Sequence, residues 1–319
     1  MHTEREVRVW TASEDDKDSF LEHFCIPALL ESQNPDGGWG YRCGAPSSVE
    51  PTTWALLALL QKSQMDMVQK ATMSGVCWLR YVQLPDGAWP AIVGQQQGCW
   101  VTALACLVLY AYGESSEQLS RGIQQLCDSW PAEGGYWWRF RERVMKRGIV
   151  VHQDSSLRGW SWTPGTASWV EPTSYALLAL RHVPEEMLSR GVEKRRYLGE
   201  SMLYDRMCPG GGWNNGNPLI YGVGGVPRVG PTVWALLALQ DYRHRPENQA
   251  SLDWLEHEYP NIQGPGSLAL AHLCLQVYDR PAPALGPRLW DLCMNNRFFH
   301  DIMVMAWAAV ALSPVRHWL

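Results

Sequence analysis

Charge is what this sequence has little of. Asp, Glu, Lys and Arg supply only 18% of the 319 residues, and 27 Lys and Arg against 32 Asp and Glu leave a net charge of −5. Without a basic excess there is nothing to hold a polyanion, which excludes a nucleic-acid-binding protein. Long apolar runs are missing too. The greasiest stretch, Trp54–Leu60, and its copies are far shorter than a bilayer-crossing helix. Met1–Asp18 is polar and acidic and has no secretory core. The nine cysteines are odd in number and lack paired spacing, so no disulfide framework is expected. Free thiols in a reducing, cytoplasmic compartment are the expectation.

What is there is a repeat. Ser48-Val-Glu-Pro-Thr-Thr-Trp-Ala-Leu-Leu-Ala-Leu59 returns as Trp169-Val-Glu-Pro-Thr-Ser-Tyr-Ala-Leu-Leu-Ala-Leu180, and again as Arg228-Val-Gly-Pro-Thr-Val-Trp-Ala-Leu-Leu-Ala-Leu239. Pro51, Pro172 and Pro231 mark helix starts, because a missing N–H costs nothing at the first helical position. The Ala/Leu runs behind them are apolar on every face, the mark of a buried helix. Hydrophobic residues make up 46% of the chain, enough for a sizeable core.

Six units of outer helix, turn and inner helix follow along the chain. The inner helices are expected at Thr52–Leu59, Thr102–Tyr110, Thr173–Leu180, Thr232–Leu239, Ser267–Leu275 and Met303–Leu312. Six buried helices wrapped by six amphipathic ones predict an all-α (α/α)6 toroid; an open solenoid is the alternative. Residues 1–17 read as a polar arm, and residues 18–319 as one barrel domain with an insertion at about 134–158. The third unit's turn is expected at Trp130–Trp137, ahead of that insertion, and Gly222–Gly225 reads as a loop.

The turns carry a resemblance. Gln33-x-x-Asp36-Gly-Gly-Trp39 and Gln83-x-x-Asp86-Gly-Ala-Trp89 resemble the glutamine–tryptophan repeat of the squalene cyclase and prenyltransferase superfamily. Cys208-Pro-Gly-Gly-Gly-Trp213 and Gly159-Trp-Ser-Trp-Thr-Pro-Gly-Thr166 look like bacterial members of the same family. The resemblance implies that the turn tryptophans Trp39, Trp89 and Trp213 are structural. Class II terpene cyclases of that family place an Asp-x-Asp-Asp-Thr motif at an inner-helix start, where its middle acid protonates an alkene or epoxide. Ser48-Val-Glu50-Pro-Thr52 and Trp169-Val-Glu171-Pro-Thr173 fall on that motif and keep only the middle acid, as glutamate.

Inner helices that run the same way gather their N-termini at one mouth. Aligning the last helix on Trp307 puts Asp301 where Ser48 and Trp169 stand, so Glu50, Glu171 and Asp301 are expected to converge, with Glu50 and Asp301 the closest pair. A helix N-terminus favours the charged carboxylate, whereas two close carboxylates raise one pKa. Helix capping is the structural alternative for each acid. Trp54, Trp100, Trp169, Trp234 and Trp307, with Cys99 and His300, are expected to line an apolar pocket; aromatic faces bind apolar ligands and stabilise cations.

These readings predict a terpenoid cyclase-like enzyme that cyclises or isomerises an isoprenoid or similar polyene by proton transfer. Glu171 and Glu50 would move the proton and Asp301 would assist. No cofactor and no metal are called for, because such chemistry needs placed protons and a pocket closed to water. A non-catalytic prenyl- or lipid-binding module working with a partner protein is the alternative. So is a metal-dependent prenyltransferase-like subunit, since Asp291-Leu-Cys293 with His300 mimics that branch's zinc ligands and Cys99, His300 and Asp301 make a second set. Cys99 as a nucleophile with His300 as its base is a further alternative. The basic, aromatic stretch Trp137–Arg147 reads as a contact for an anionic membrane surface or a diphosphate, or as a solvated flap over the barrel mouth.

Overall fold

The three inner helices of the repeat begin two residues earlier than their prolines imply. In the computed structural model, which describes residues 20–114, 117–133, 135, 153–183, 187–296, 298–314 and 317–319, the extended residues Ser48, Trp169 and Arg228 cap helices that start at Val49, Val170 and Val229. The prolines are therefore third in their helices, still within the first turn, where backbone N–H groups have no helical partner. Glu50 and Glu171 are second and belong to the helix itself.

The helices alternate around the ring. A π-helical turn (Leu21–Cys25) leads into α1 (Ile26–Glu31), followed by α2 (Val49–Leu59), α3 (Asp66–Tyr81), α4 (Val101–Ala111), α5 (Glu117–Asp128) and α6 (Val170–Arg181). Then come α7 (Arg190–Asp205), α8 (Val229–Ala238), α9 (Pro246–Glu258), α10 (Pro265–Val277), α11 (Leu285–Asn296) and α12 (Ile302–Leu312). The even-numbered helices are buried almost throughout and form the inner ring at the positions read from the sequence. Each packs on its two neighbours, and α12 packs back on α2, so the array closes into an (α/α)6 toroid.

A repeated clasp ties the turns to both rings. The backbone N–H groups of Trp39, Trp89, Trp160 and Trp213 donate to Thr52, Thr102, Thr173 and Thr232 at 2.8–2.9 Å. Their indole N–H groups donate to the carbonyls of Leu29, Leu79, Leu126 and Leu203 on the outer helices at 2.6–2.9 Å. The threonine after each proline thus has a structural duty. In the third unit the clasping indole is Trp160, after the insertion, and not Trp137, which lies outside the described residues.

Amide and guanidinium groups brace the same turns. Gln33 donates to Gly37 and Ala71, and Gln83 to Gly87 and Gln118, at 2.8–2.9 Å. Where the third unit lacks that glutamine, Arg195 of α7 reaches back to the carbonyls of Ser129, Arg158 and Gly159, each at 3.0 Å, between the rings of Trp130 and Trp160. Gly37 shows why the turn needs glycine. Its φ is 95°, and a Cβ there would meet the Ser74 carbonyl oxygen at 2.7 Å.

The starts of the inner helices also hold the neighbouring turns. The N–H groups of Val49, Trp100 and Val170 donate to the carbonyls of Ala91, Trp162 and Asn215, each 3.4 Å away and each two residues beyond the next unit's turn tryptophan. Ile302 makes the equivalent bond to Tyr41 at 3.1 Å, and this one joins the sixth unit to the first. The stretch read as a loop at Gly222–Gly225 holds a short hairpin, Leu219–Ile220 against Val223–Gly224. Tyr221 and Gly222 both have positive φ, as a type I′ hairpin turn requires.

At the other mouth, His182 and Gln240 contact the carbonyls of Trp318 and Leu319 at 2.8 and 3.0 Å. The Trp318 ring reaches within 6.2 Å of Trp54. Among the described residues no helix is long and apolar enough to cross a membrane, and all nine cysteines are free. The 1–17 arm and the Trp137–Arg147 stretch lie outside the described residues.

Candidate active site

Two glutamates share the mouth formed by the inner-helix N-termini. Glu50 sits in the first turn of α2 and Glu171 in the first turn of α6. A helix start favours a carboxylate, but burial outweighs it here. Burial pushes the Glu50 carboxyl up, against the opposing effect of a hydrogen bond from Tyr41. Glu171 is pushed up to about 7, first by burial and then by the charge of Glu50. Tyr175, one turn further along α6, is fully buried, and its phenol is raised by burial and then by the charges of Glu171 and Glu50. The two carboxylates and this phenol therefore occupy one electrostatic neighbourhood.

The floor beneath them is aromatic. Trp54 packs on Trp234 at 5.2 Å and on Trp307 at 6.2 Å. Trp234 meets Tyr175 at 5.0 Å, Tyr175 stacks on Trp100 at 5.5 Å, and Trp100 meets Trp162 at 4.9 Å. Trp54, Trp100, Trp234 and Trp307 thus stand on the inner ring as expected. Trp169 is a half-buried cap whose backbone pairs with Trp160 at the rim.

These rings fill much of the lumen. A small, partly open cavity of about 40 Å³ lies beside Cys99, Trp100 and Pro172, too small for an isoprenoid. A far larger open groove, about 620 Å³, lies between the starts of α6, α8 and α10. Its walls include Glu171, Val226, Arg228, Gly230, Trp254 and Glu258. That volume is within the usual range for small-molecule sites. Gly230 stands where Glu50 and Glu171 stand in their own repeats, and a Cβ there would come within 3.5 Å of Glu171 Oε1.

Asp301 occupies the place expected of it, the cap of α12, and accepts the Val304 N–H at 3.1 Å. Its charge bears on Cys293 of α11, whose thiol is pushed up to about 12, chiefly by burial. Glu50 is paired electrostatically with Glu171, where the register predicted Asp301. The Asp301 carboxylate is engaged instead in capping its own helix.

His300 is exposed at the end of a short 3₁₀ turn. Cys99 is half-buried and its thiol is raised chiefly by burial, the wrong direction for a nucleophile. Asp291 is exposed while Cys293, on the same outer helix, is buried. Among the described residues no three His, Cys, Asp or Glu side chains group as metal ligands.

Sequence reasoning missed Tyr41, Tyr175 and Gly230. Tyr175 was signalled by the repeat, because it replaces Trp54 and Trp234 at their shared position. Tyr41 was signalled more faintly. It stands two residues beyond a turn tryptophan, like Trp162 and Asn215, which also reach the mouth.

No protein-family model matches the chain. A drimenyl diphosphate synthase from Streptomyces showdoensis is 23% identical over 248 residues, 66% of this chain, and the chain covers 45% of that protein's length. A protein from Actinoplanes overlays with a TM-score of 0.60 at 16% identity, across 93% of this chain and 98% of that one. The overlay shows the (α/α)6 toroid. An α-1,6-mannanase from a Salegentibacter species overlays nearly as well, with a TM-score of 0.59 at 9% identity over 93% of this chain and 98% of its own. The toroid is thus shared with proteins of other chemistry, and function has to be argued from the site.

Proposed function

We propose that this protein is a terpenoid cyclase-like enzyme that cyclises or isomerises an isoprenoid or similar polyene by proton transfer. The observation that carries this reading is Glu171, a carboxyl on the wall of an open groove whose pKa is pushed up to about 7 by burial and by the charge of Glu50. The similarity to a drimenyl diphosphate synthase supports it, although the chain spans under half of that relative's length.

The steps balance without a cofactor. The Glu171 proton passes to one carbon of an alkene, whose π electrons form the new C–H bond and leave a cation on the neighbouring carbon. A second double bond can attack that cation and close a ring, or the cation can simply lose a proton. Loss of a proton to the Glu171 carboxylate, directly or by way of Glu50, forms the final alkene and restores the acid. Glu50 and the Trp254 ring supply the negative charge and aromatic surface that favour a cation. A general acid–base contribution is typically about 10²–10⁴ in rate. Glu171→Gln and Glu50→Gln should each lose turnover of a linear polyprenyl substrate on that scale while staying folded. Full activity in both variants would overturn the mechanism.

One observation favours a second reading, a prenyl- or lipid-binding module acting with a partner protein. Indoles fill the lumen, and the large site is open at the mouth. On that reading a polyprenyl probe binds wild type and Glu171→Gln alike and is released unchanged.

A further inference from the structure

The repeat makes Glu50 and Glu171 equivalent, yet their surroundings differ. Tyr41 leans over the start of α2 and donates its hydroxyl to Glu50 Oε2 at 2.5 Å. A hydroxyl donating to a carboxyl group favours its charged form. Among the described residues no donor reaches the Glu171 carboxylate, which lines the groove with Gly230 opposite. One acid is covered by a phenol and the other faces the space where a ligand fits.

We propose that Tyr41 is a positioning residue that fixes Glu50 as the ionised member of the pair and so leaves the transferable proton on Glu171. The inference rests on the proton-transfer reading of the site and adds to it a division of labour. The groups that face Glu50 are Tyr41 from its own unit's turn, Cys99 ahead of α4, and Glu171 and Tyr175 from α6. Of these, Tyr41 makes the hydrogen bond that favours the charged form.

Asp301 stands beside the bond that holds Tyr41, at the start of α12. Tyr41 is held by its backbone, whose carbonyl accepts the Ile302 N–H at 3.1 Å, and the adjoining Arg42 pairs with Asp301 in an isolated bridge. Asp301 caps the helix that provides this bond. The contact that closes the ring therefore also holds the backbone of Tyr41.

The test uses the full chain and needs no turnover. In Glu171→Gln, Glu50 is the remaining member of the pair. Its protonation can be followed by infrared difference spectroscopy with ¹³C-labelled glutamate, against Glu50→Gln as the assignment blank. Adding Tyr41→Phe should raise the Glu50 midpoint by about one pH unit or more, given the strength of a hydrogen bond to a charged group. An unchanged midpoint in the folded double variant overturns the proposal. Should the double variant fail to fold, Tyr41→Phe alone decides it. Wild type should show one carboxyl titrating near 7 that is assigned to Glu171, and Tyr41→Phe should share that signal between two carboxyls; an unshared signal overturns the proposal. In turnover, Tyr41→Phe should displace the pH profile of kcat and leave KM nearly unchanged. Wild type inactive on every polyprenyl substrate would end the enzyme reading, while the titration would still decide the role of Tyr41.

Discussion

At the scale of the residue, burial and a neighbouring charge lift Glu171 from the ordinary glutamate value of 4.5 to about 7. Its folded-state pKa is therefore above its unfolded one. Between these values the folded protein holds a proton that the unfolded chain has released, so stability falls as pH rises through this window. The shift corresponds to a loss on the order of 3 kcal/mol, lessened by the exposure of the groove. Glu171→Gln should therefore melt higher than wild type at pH 8 and close to it at pH 4.5, as read by thermal denaturation followed by circular dichroism. Equal melting differences at both pH values would mean that Glu171 is not held protonated. The place of Glu171 at a helix start was legible, because it stands in a repeat. Its partner was not. Register aligns helix starts but does not say which way a capping side chain turns, and Asp301 turns to its own backbone.

At the scale of the element, the unit is a turn clamped between two helices. The threonine after the proline accepts the N–H of the turn tryptophan, and the indole is tied to the outer helix. Thr173→Val keeps the shape, removes the acceptor and leaves the buried Trp160 N–H unpaired, at a cost of about 1–3 kcal/mol. Chemical denaturation of Thr173→Val measures it, and a change below about 0.5 kcal/mol would show that the clasp is replaceable. Arg195 presents a sharper contrast. Arg195→Leu leaves three carbonyls without their donor and should lose more stability than Arg280→Ala, whose partners Asp253 and Glu256 are more exposed. Equal losses would remove Arg195 from its bracing role. The glutamine turns were readable from spacing, since Gln33 and Gln83 precede a left-handed glycine. The third turn was misplaced because its bracing group comes from α7, more than thirty residues beyond Trp160, and because Trp137 offers a decoy tryptophan.

At the scale of the whole molecule, the ring is closed through α12 and α2 and through the bond from Ile302 to Tyr41. A closed ring has no free end at which unfolding can start, unlike an open repeat array. Chemical denaturation should therefore give one transition, with tryptophan fluorescence and far-ultraviolet circular dichroism coinciding. Separate transitions for the two signals would show that the units open independently. Closure was predictable from six all-round apolar helices. The filling of the lumen was not, because apolar periodicity looks the same whether a helix faces a cavity or the indole of an opposite helix.

In the proposed mechanism, Glu171 delivers a proton to a polyene. The most direct measurement is incubation of the protein with linear polyprenyl diphosphates and alcohols in deuterated water, followed by mass spectrometry of the products. Wild type should give a cyclised or isomerised product carrying a single deuteron from the acid, and Glu171→Gln should give almost none. Substrate recovered unchanged from wild type, or equal deuteron incorporation by Glu171→Gln, would contradict the claim.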